Sequence, residues 1–173
     1  SRLIYEDTPY HNAVFVGIDE NGIPRHAHKR STNSDGKVFR INIEGSDPAH
    51  SFHWKGSSGT LFVFEAPIDM LSYISMNREN WQQHSYVALC GVAEHAMLKR
   101  LEVEWDIFEV CLCLDNDEAG QLATERLTAR LNELGGYDVE RLCPKRKDWN
   151  DDLKAEAMRN FELDQRGGMC LAL

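Results

Sequence analysis

From residue 58 onward the chain repeats one pattern: a short apolar run, then a stretch with helical spacing. The runs are LFVFE (61–65), YVALC (86–90), FEVCLCL (108–114) and YDVERLC (137–143). The first three are nearly continuous in apolar residues, as expected of strands covered on both faces, where an alternating pattern would mark a sheet with one wet face. Between them, 67–76 (PIDMLSYISM) and 93–101 (AEHAMLKRL) carry helical apolar spacing, and Pro67 suits a first helical turn. A long amphipathic helix is predicted over 118–134, stopped by Gly135–Gly136, and a last one over about 151–160. Strands alternating with helices in this way form a parallel sheet, here of about four strands flanked by helices, an α/β fold. Ligands of such sheets bind beyond the carboxyl ends of the strands. That rule selects Glu65, Gly91 and Asp115–Asp117, each at the end of a predicted strand.

The first third of the chain reads differently. Residues 12–18, 23–30, 37–43 and 49–55 are candidate strands, separated by turn clusters at 19–22 (DENG), 31–36 (STNSDG) and 45–48 (GSDP). A small antiparallel β-rich subdomain over 1–57 is expected, followed by the α/β unit over 58–173. GSSGT at 56–60 joins them as a loop; it lacks the Gly-Lys-Ser/Thr ending of a phosphate loop.

Composition narrows the class. Of the 173 residues, 42% are hydrophobic and 27% charged, which is ordinary for a globular chain. No apolar run is long enough to span a bilayer, and the start, SRLIYEDTPYH, is not a signal peptide. The missing initial Met suggests a piece of a longer, cytoplasmic protein. The five cysteines are odd in number and include no CxxC pair, so buried reduced thiols are expected in place of disulfides or a zinc site. His26, His28, His50 and His53 have no cysteine partner and read as exposed strand histidines. The net charge of −9 argues against a general nucleic-acid binder. It is compatible with an enzyme that reaches phosphates through a divalent cation, whose site must itself be acidic.

The chemistry lies in the carboxylates. Asp115 and Asp117 form a DxD at a strand end, and Glu65 ends another strand. Oxygen ligands so placed suit Mg²⁺, which keeps several waters and takes one or two carboxylates plus substrate phosphates. One DxD alone is more often a helix cap, and Asp115 or Asp117 could cap the helix that starts at Glu118. Asp148, Asp151 and Asp152 follow the fourth strand and could close the same rim, with Lys145, Arg146 and Lys147 beside them for phosphate. Trp149 lies close enough to be considered for base stacking, although packing at a helix edge is the commoner role of such a residue.

Taken in order, these segments resemble the Toprim family. LFVFEAPIDMLSYI (61–74) resembles its first motif, a strand ending in Glu with an Asp four positions later at a helix start. CLCLDNDEAGQLATERL (111–127) resembles the second, a strand, DxD, then a Gly and a helix, in a form similar to bacterial primase. KRKDWNDDL (145–153) is similar to the downstream Lys-Asp segment of primases, and residues 12–56 to the β-rich segment preceding Toprim in primase-like proteins of plasmids and mobile elements. The resemblance implies a Toprim, Rossmann-like fold. It implies Glu65, Asp115 and Asp117 as catalytic and metal-binding residues, Asp148 as a further ligand, and Asp69 and Gly91 in support. It implies Mg²⁺ or Mn²⁺ as cofactor, and a single-stranded DNA template with nucleoside triphosphates as partners. A helicase or relaxase in the parent protein or operon is also implied. Arg25, Lys29 and Arg30, with Lys37 and Arg40 as further positions, would contact nucleic acid, as would Lys145 and Lys147. The motif commonly has Gly after the Glu; here Ala66–Pro67 follow and stiffen the turn. Primer synthesis is the reaction expected. A Toprim metal-dependent nuclease and a non-catalytic Toprim docking module are the alternatives. The zinc-binding module that primases use for template recognition has no counterpart in these residues, so the isolated chain is expected to be inactive by itself.

Overall fold

A computed structural model describes residues 3–32, 39–91 and 93–169, with side chains to 163. The predicted turn at 31–36 lies mostly outside these residues, as do Lys37 and Cys170.

Two sheets make up the described chain. The first is antiparallel, in the order β1–β2–β3–β4, with β1 at Ile4–Asp7, β2 at Asn12–Ile18, β3 at Pro24–Arg30 and β4 at Arg40–Asn42. The Asp19 carboxylate shapes the β2–β3 turn by accepting the amides of Asn21 and Ile23, both at 2.9 Å. Strand β1 was not expected from the sequence, and β4 is shorter than the run predicted over 37–43.

The second sheet has the order β5–β7–β6–β8–β9. Its parallel strands are β6 (Thr60–Phe64), β7 (Ser85–Ala88), β8 (Glu109–Cys113) and β9 (Asp138–Arg141). The sequence expectation of about four parallel strands flanked by helices holds. Strand β5 (His53–Trp54) pairs antiparallel with β7 at the edge. This corrects the expectation that 49–55 continues the N-terminal meander. A single 3₁₀ turn at Pro48–His50 redirects the chain, and only two residues then pair, with the other sheet.

Every residue of β6 and β7 is buried, which accounts for their unbroken apolar runs. On one face Leu61, Val63, Val87, Val110 and Leu112 pack against α2 (His95–Val103) and α3 (Glu118–Leu134). On the other, Phe62, Phe64, Tyr86, Cys111 and Cys113 pack against α1 (Pro67–Met76) and Trp149. Phe15 of β2 and Phe52 join this second core edge-to-face, with centroids 5.4 Å apart, and dock the N-terminal sheet on it. Helix α4 (Trp149–Met169) runs well beyond the predicted end at 160 and packs on α1.

Among the described cysteines, all free, Cys111 and Cys113 are buried, Cys90 is half-buried and Cys143 is exposed. Cys143 departs from the expectation of burial because it follows β9, the outermost strand. No helix of the described residues is long and apolar enough to cross a membrane.

Candidate active site

Strands β6 and β8 are neighbours, and their last paired residues, Phe64 and Cys113, stand opposite each other. Glu65 therefore follows one strand end directly, and Asp115 lies two residues past the other. The helix after β6, α1, covers one face of the sheet, and the helix after β8, α3, covers the other. The crevice between these strand ends is thus the topological switch point, where open α/β sheets bind ligands.

Five carboxylates meet there. Glu65, Asp69 and Asp115 are buried. Burial pushes Asp115 up to about 7, and the charges of Glu65, Asp69, Asp148 and Asp117 add to the rise. Asp69, in the first turn of α1, is pushed up to about 6, by burial first and then by Asp148. Glu65 is raised mainly by burial, against the pull of Arg40. Crowded, desolvated carboxylates resist ionisation unless a cation compensates them.

Asp117 has two uses. One oxygen accepts the Gly120 amide at 2.9 Å and caps α3, while the other lies 3.9 Å from Lys147 Nζ. The capping reading of the sequence is correct, and it leaves an oxygen of Asp117 for the crevice. Gly120 is required here. A Cβ at this position would stand 2.1 Å from the Asp115 carbonyl oxygen, so only glycine lets α3 start against the DxD backbone. Asn116 between the two acids holds the opposite wall: its amide donates to the Lys147 carbonyl (2.7 Å) and its side chain to the Pro144 carbonyl (3.2 Å).

The 145–148 loop is built from its own acids. Asp148 accepts the Asp151 amide at 2.7 Å and so starts α4. Asp152 turns back to accept the amides of Lys145 and Arg146. Asp151 pairs with Lys154. Of the three, Asp148 lines the crevice, together with Arg30, Phe39, Arg40, Asp69, Asp115 and Lys147. The backbone amide of Asn150 donates to Asp69 at 3.3 Å, tying α4 to α1 at the site.

Gly91, at φ 146°, donates to the Glu65 carbonyl (3.3 Å) and lines an adjoining cleft with Glu65, His28 and Arg40. Arg40 stands between the two clefts, its Nη1 3.4 Å from Glu65 Oε1. Arg25 and Lys29 are held elsewhere, by Asp19 (2.8 Å) and Asp7 (2.9 Å). Lys145 lines a separate groove between α1 and α4. Trp149 donates its indole N–H to the Cys113 carbonyl (2.9 Å) and packs edge-on against Tyr73 and Phe64, a core role.

The donor set fits a hard divalent cation. It is all oxygen, the charges of Glu65, Asp69, Asp148 and Asp117 raise the pKa of Asp115, and among the described residues the buried Asp115 Oδ1 has no hydrogen-bond partner. A second cluster, Glu109, Cys111 and Glu140, brings three ligand atoms within 4.8 Å on β8 and β9. It fits a metal poorly: Glu109 accepts the Thr60 hydroxyl at 2.7 Å, and burial pushes the Cys111 thiol up to about 12.

Residues 62–153, more than half of the chain, match the Toprim-like family. The chain belongs to the Toprim-like family. Residues 1–66 match a second family, described as a protein of unknown function. An uncharacterized Bacillus anthracis protein is 27% identical to this Toprim-like chain, over 88% of the chain and 47% of that protein. The primase fragment of the bacteriophage T7 primase-helicase superposes with a TM-score of 0.65 at 20% identity, covering 92% of this chain and 65% of that one. The Escherichia coli primase catalytic core gives 0.58 at 16% identity, covering 88% and 50%. The Toprim-like chain thus has the fold of primase catalytic cores. It spans about half the length of the curated relative it matches.

Proposed function

We propose that this Toprim-like chain is the catalytic part of a primase-like nucleotidyltransferase that makes primers in the replication of a mobile element. The observation that carries the reading is the meeting of Glu65, Asp115 and Asp117, with Asp69 and Asp148, at the switch point of a primase-type fold. The relative from a Bacillus plasmid supports the mobile-element setting.

Glu65, Asp115, Asp117 and Asp148 would hold Mg²⁺ or Mn²⁺, with Asp69 close by. The cation would supply charge neutralisation at the transferring phosphate. Glu65, with its pKa raised by burial, is placed to take the proton of an attacking 3′-hydroxyl. Arg30, Arg40 and Lys147 on the rim would meet phosphate oxygens, and Asn116 and Asp152 keep the 145–148 wall in place. Single-stranded DNA, nucleoside triphosphates and a helicase are the partners this reading implies. A solved relative is a primase-helicase, and another is bound to single-stranded DNA. A cytoplasmic site of action goes with it.

The test is Mn²⁺ titration by calorimetry, followed by primer synthesis on single-stranded DNA from nucleoside triphosphates. Binding that is lost in Asp115→Asn/Asp117→Asn, with primers formed by the parent protein, supports the reading. Nicking of plasmid DNA without primer formation would replace it by a nuclease. Full function of the Asp115→Asn protein would replace it by a docking role.

A further inference from the structure

The face that the N-terminal sheet turns toward the acidic crevice has an unusual arrangement of charge. On β3 and β4, His28 stands opposite Asn42 and Arg30 directly opposite Arg40. Like charges across a ladder repel. The cost is offset by what the pair faces: Arg40 contacts Glu65 at 3.4 Å, and Arg30 lines the crevice with Asp69, Asp115 and Asp148. The two arginines are thus held against each other by the acids of the other sheet.

Arg40 differs from a structural arginine in three ways. Its contact with Glu65 is a single one, its side chain is 62% exposed, and its strand is a three-residue edge. Arg100 is the contrast within the same chain. Its side chain is 5% exposed and it is paired to the equally buried Glu104. A half-exposed single contact is weak and reversible. Glu65 is the fixed partner, with a side chain 10% exposed at the end of a central strand. An arginine suits both a carboxylate and a phosphate, since its planar fork matches either.

We propose that Arg40, supported by Arg30, is an exchangeable counter-ion of the acidic cluster: its guanidinium and a divalent cation compete for Glu65, and cation binding releases the arginine to a phosphate. The inference rests on the metal-site reading above and deepens it. It makes Arg40 a phosphate-binding residue that also sets metal affinity and couples it to anion binding. Metal and phosphate then load together, because each removes the competitor or supplies the partner of the other.

The experiment is Mn²⁺ titration of the full chain, read by the electron-paramagnetic-resonance signal of free Mn²⁺, for wild type, Arg40→Gln, Arg40→Lys and Asp115→Asn. Inorganic pyrophosphate binding is then measured with and without Mn²⁺. Arg40→Gln is expected to bind Mn²⁺ about two- to fivefold more tightly, the size of one exposed ion pair, and Arg40→Lys to bind it as wild type does. In Mn²⁺, Arg40→Gln is expected to bind pyrophosphate several-fold more weakly than wild type. If wild type binds Mn²⁺ in an Asp115-dependent way and Arg40→Gln binds it equally or less tightly, the exchange is overturned and the metal site stands. If Arg40→Lys behaves like Arg40→Gln, competition between charges is overturned. If neither wild type nor Arg40→Gln binds Mn²⁺ at millimolar concentration, the metal-site reading falls, and the exchange falls with it.

Discussion

Asp115 is the residue at which the proposed function and stability conflict most openly. Its carboxyl is buried among like charges and titrates near 7, against an ordinary 3.8. In the folded chain it therefore binds a proton that the unfolded chain releases. The sign is destabilising: the cost is full above about 7 and disappears as pH falls toward the ordinary value. Asp115→Asn is thus expected to stabilise the fold by about 1–3 kcal/mol at pH 8, with the gain fading by pH 4. Urea denaturation at the two pH values checks this. Mn²⁺ is expected to raise the melting temperature of the wild-type chain, and the same substitution to abolish that rise. Glu65, Asp115 and Asp117 were legible in the sequence because a strand end fixes where a side chain points. Arg40 was legible only as one basic residue among several. Its meaning comes from lying opposite Arg30 and above Glu65, a pairing between sheets that no local pattern encodes.

Among the elements, α3 depends most on a single atom's absence. Adding a Cβ at Gly120 would drive it into the Asp115 carbonyl, so Gly120→Ala must move either the helix or the DxD. A loss of about 1–3 kcal/mol is expected, together with weaker Mn²⁺ binding, read by thermal melts and by calorimetry on the same protein. Surface glycine-to-alanine changes in helices usually stabilise, so the sign itself discriminates. The loop before α4 depends on Asp152. Asp152→Ala leaves the Lys145 and Arg146 amides without their acceptor and should cost about 1 kcal/mol by chemical denaturation. The sequence placed α1, α2 and α3 well, since apolar spacing and the Gly135–Gly136 stop are local signals. It misplaced β5, because a strand-like run over 49–55 says that a segment is extended but not which sheet it joins. It also ended α4 early, where the helix continues past 160 and the side chains of 161–163 are exposed.

At the scale of the whole molecule, the two sheets are joined by a polar seam as well as by the Phe15–Phe52 contact. Arg100 of α2 pairs with buried Glu104 (3.4 Å) and reaches Glu20, in the β2–β3 turn, at 4.0 Å. Ser85 donates to Glu104 at 2.6 Å. His53 sits in this seam, pushed down to about 4 by burial and then by the Arg100 charge; His26 and His28 are lowered as well, mainly by burial. A histidine kept neutral by the fold contributes stability above its unfolded value of 6.5, and the contribution is lost as pH falls from there toward about 4. Stability is expected to drop across that window. In His53→Gln, which has no ring to protonate, the slope should be shallower; denaturation midpoints at half-unit pH steps check this.

The two-residue strand β5 has one more consequence. It lies against β7 and closes what would be a raw edge of the parallel sheet, yet it comes from the stretch before residue 58. Bare edges recruit other strands. A gene fragment trimmed to begin at Gly59 would carry every acid of the crevice and still be expected to precipitate. One beginning at Ser51 would bring its own selvedge. For anyone transplanting this unit into another polypeptide, those eight residues are the seam allowance.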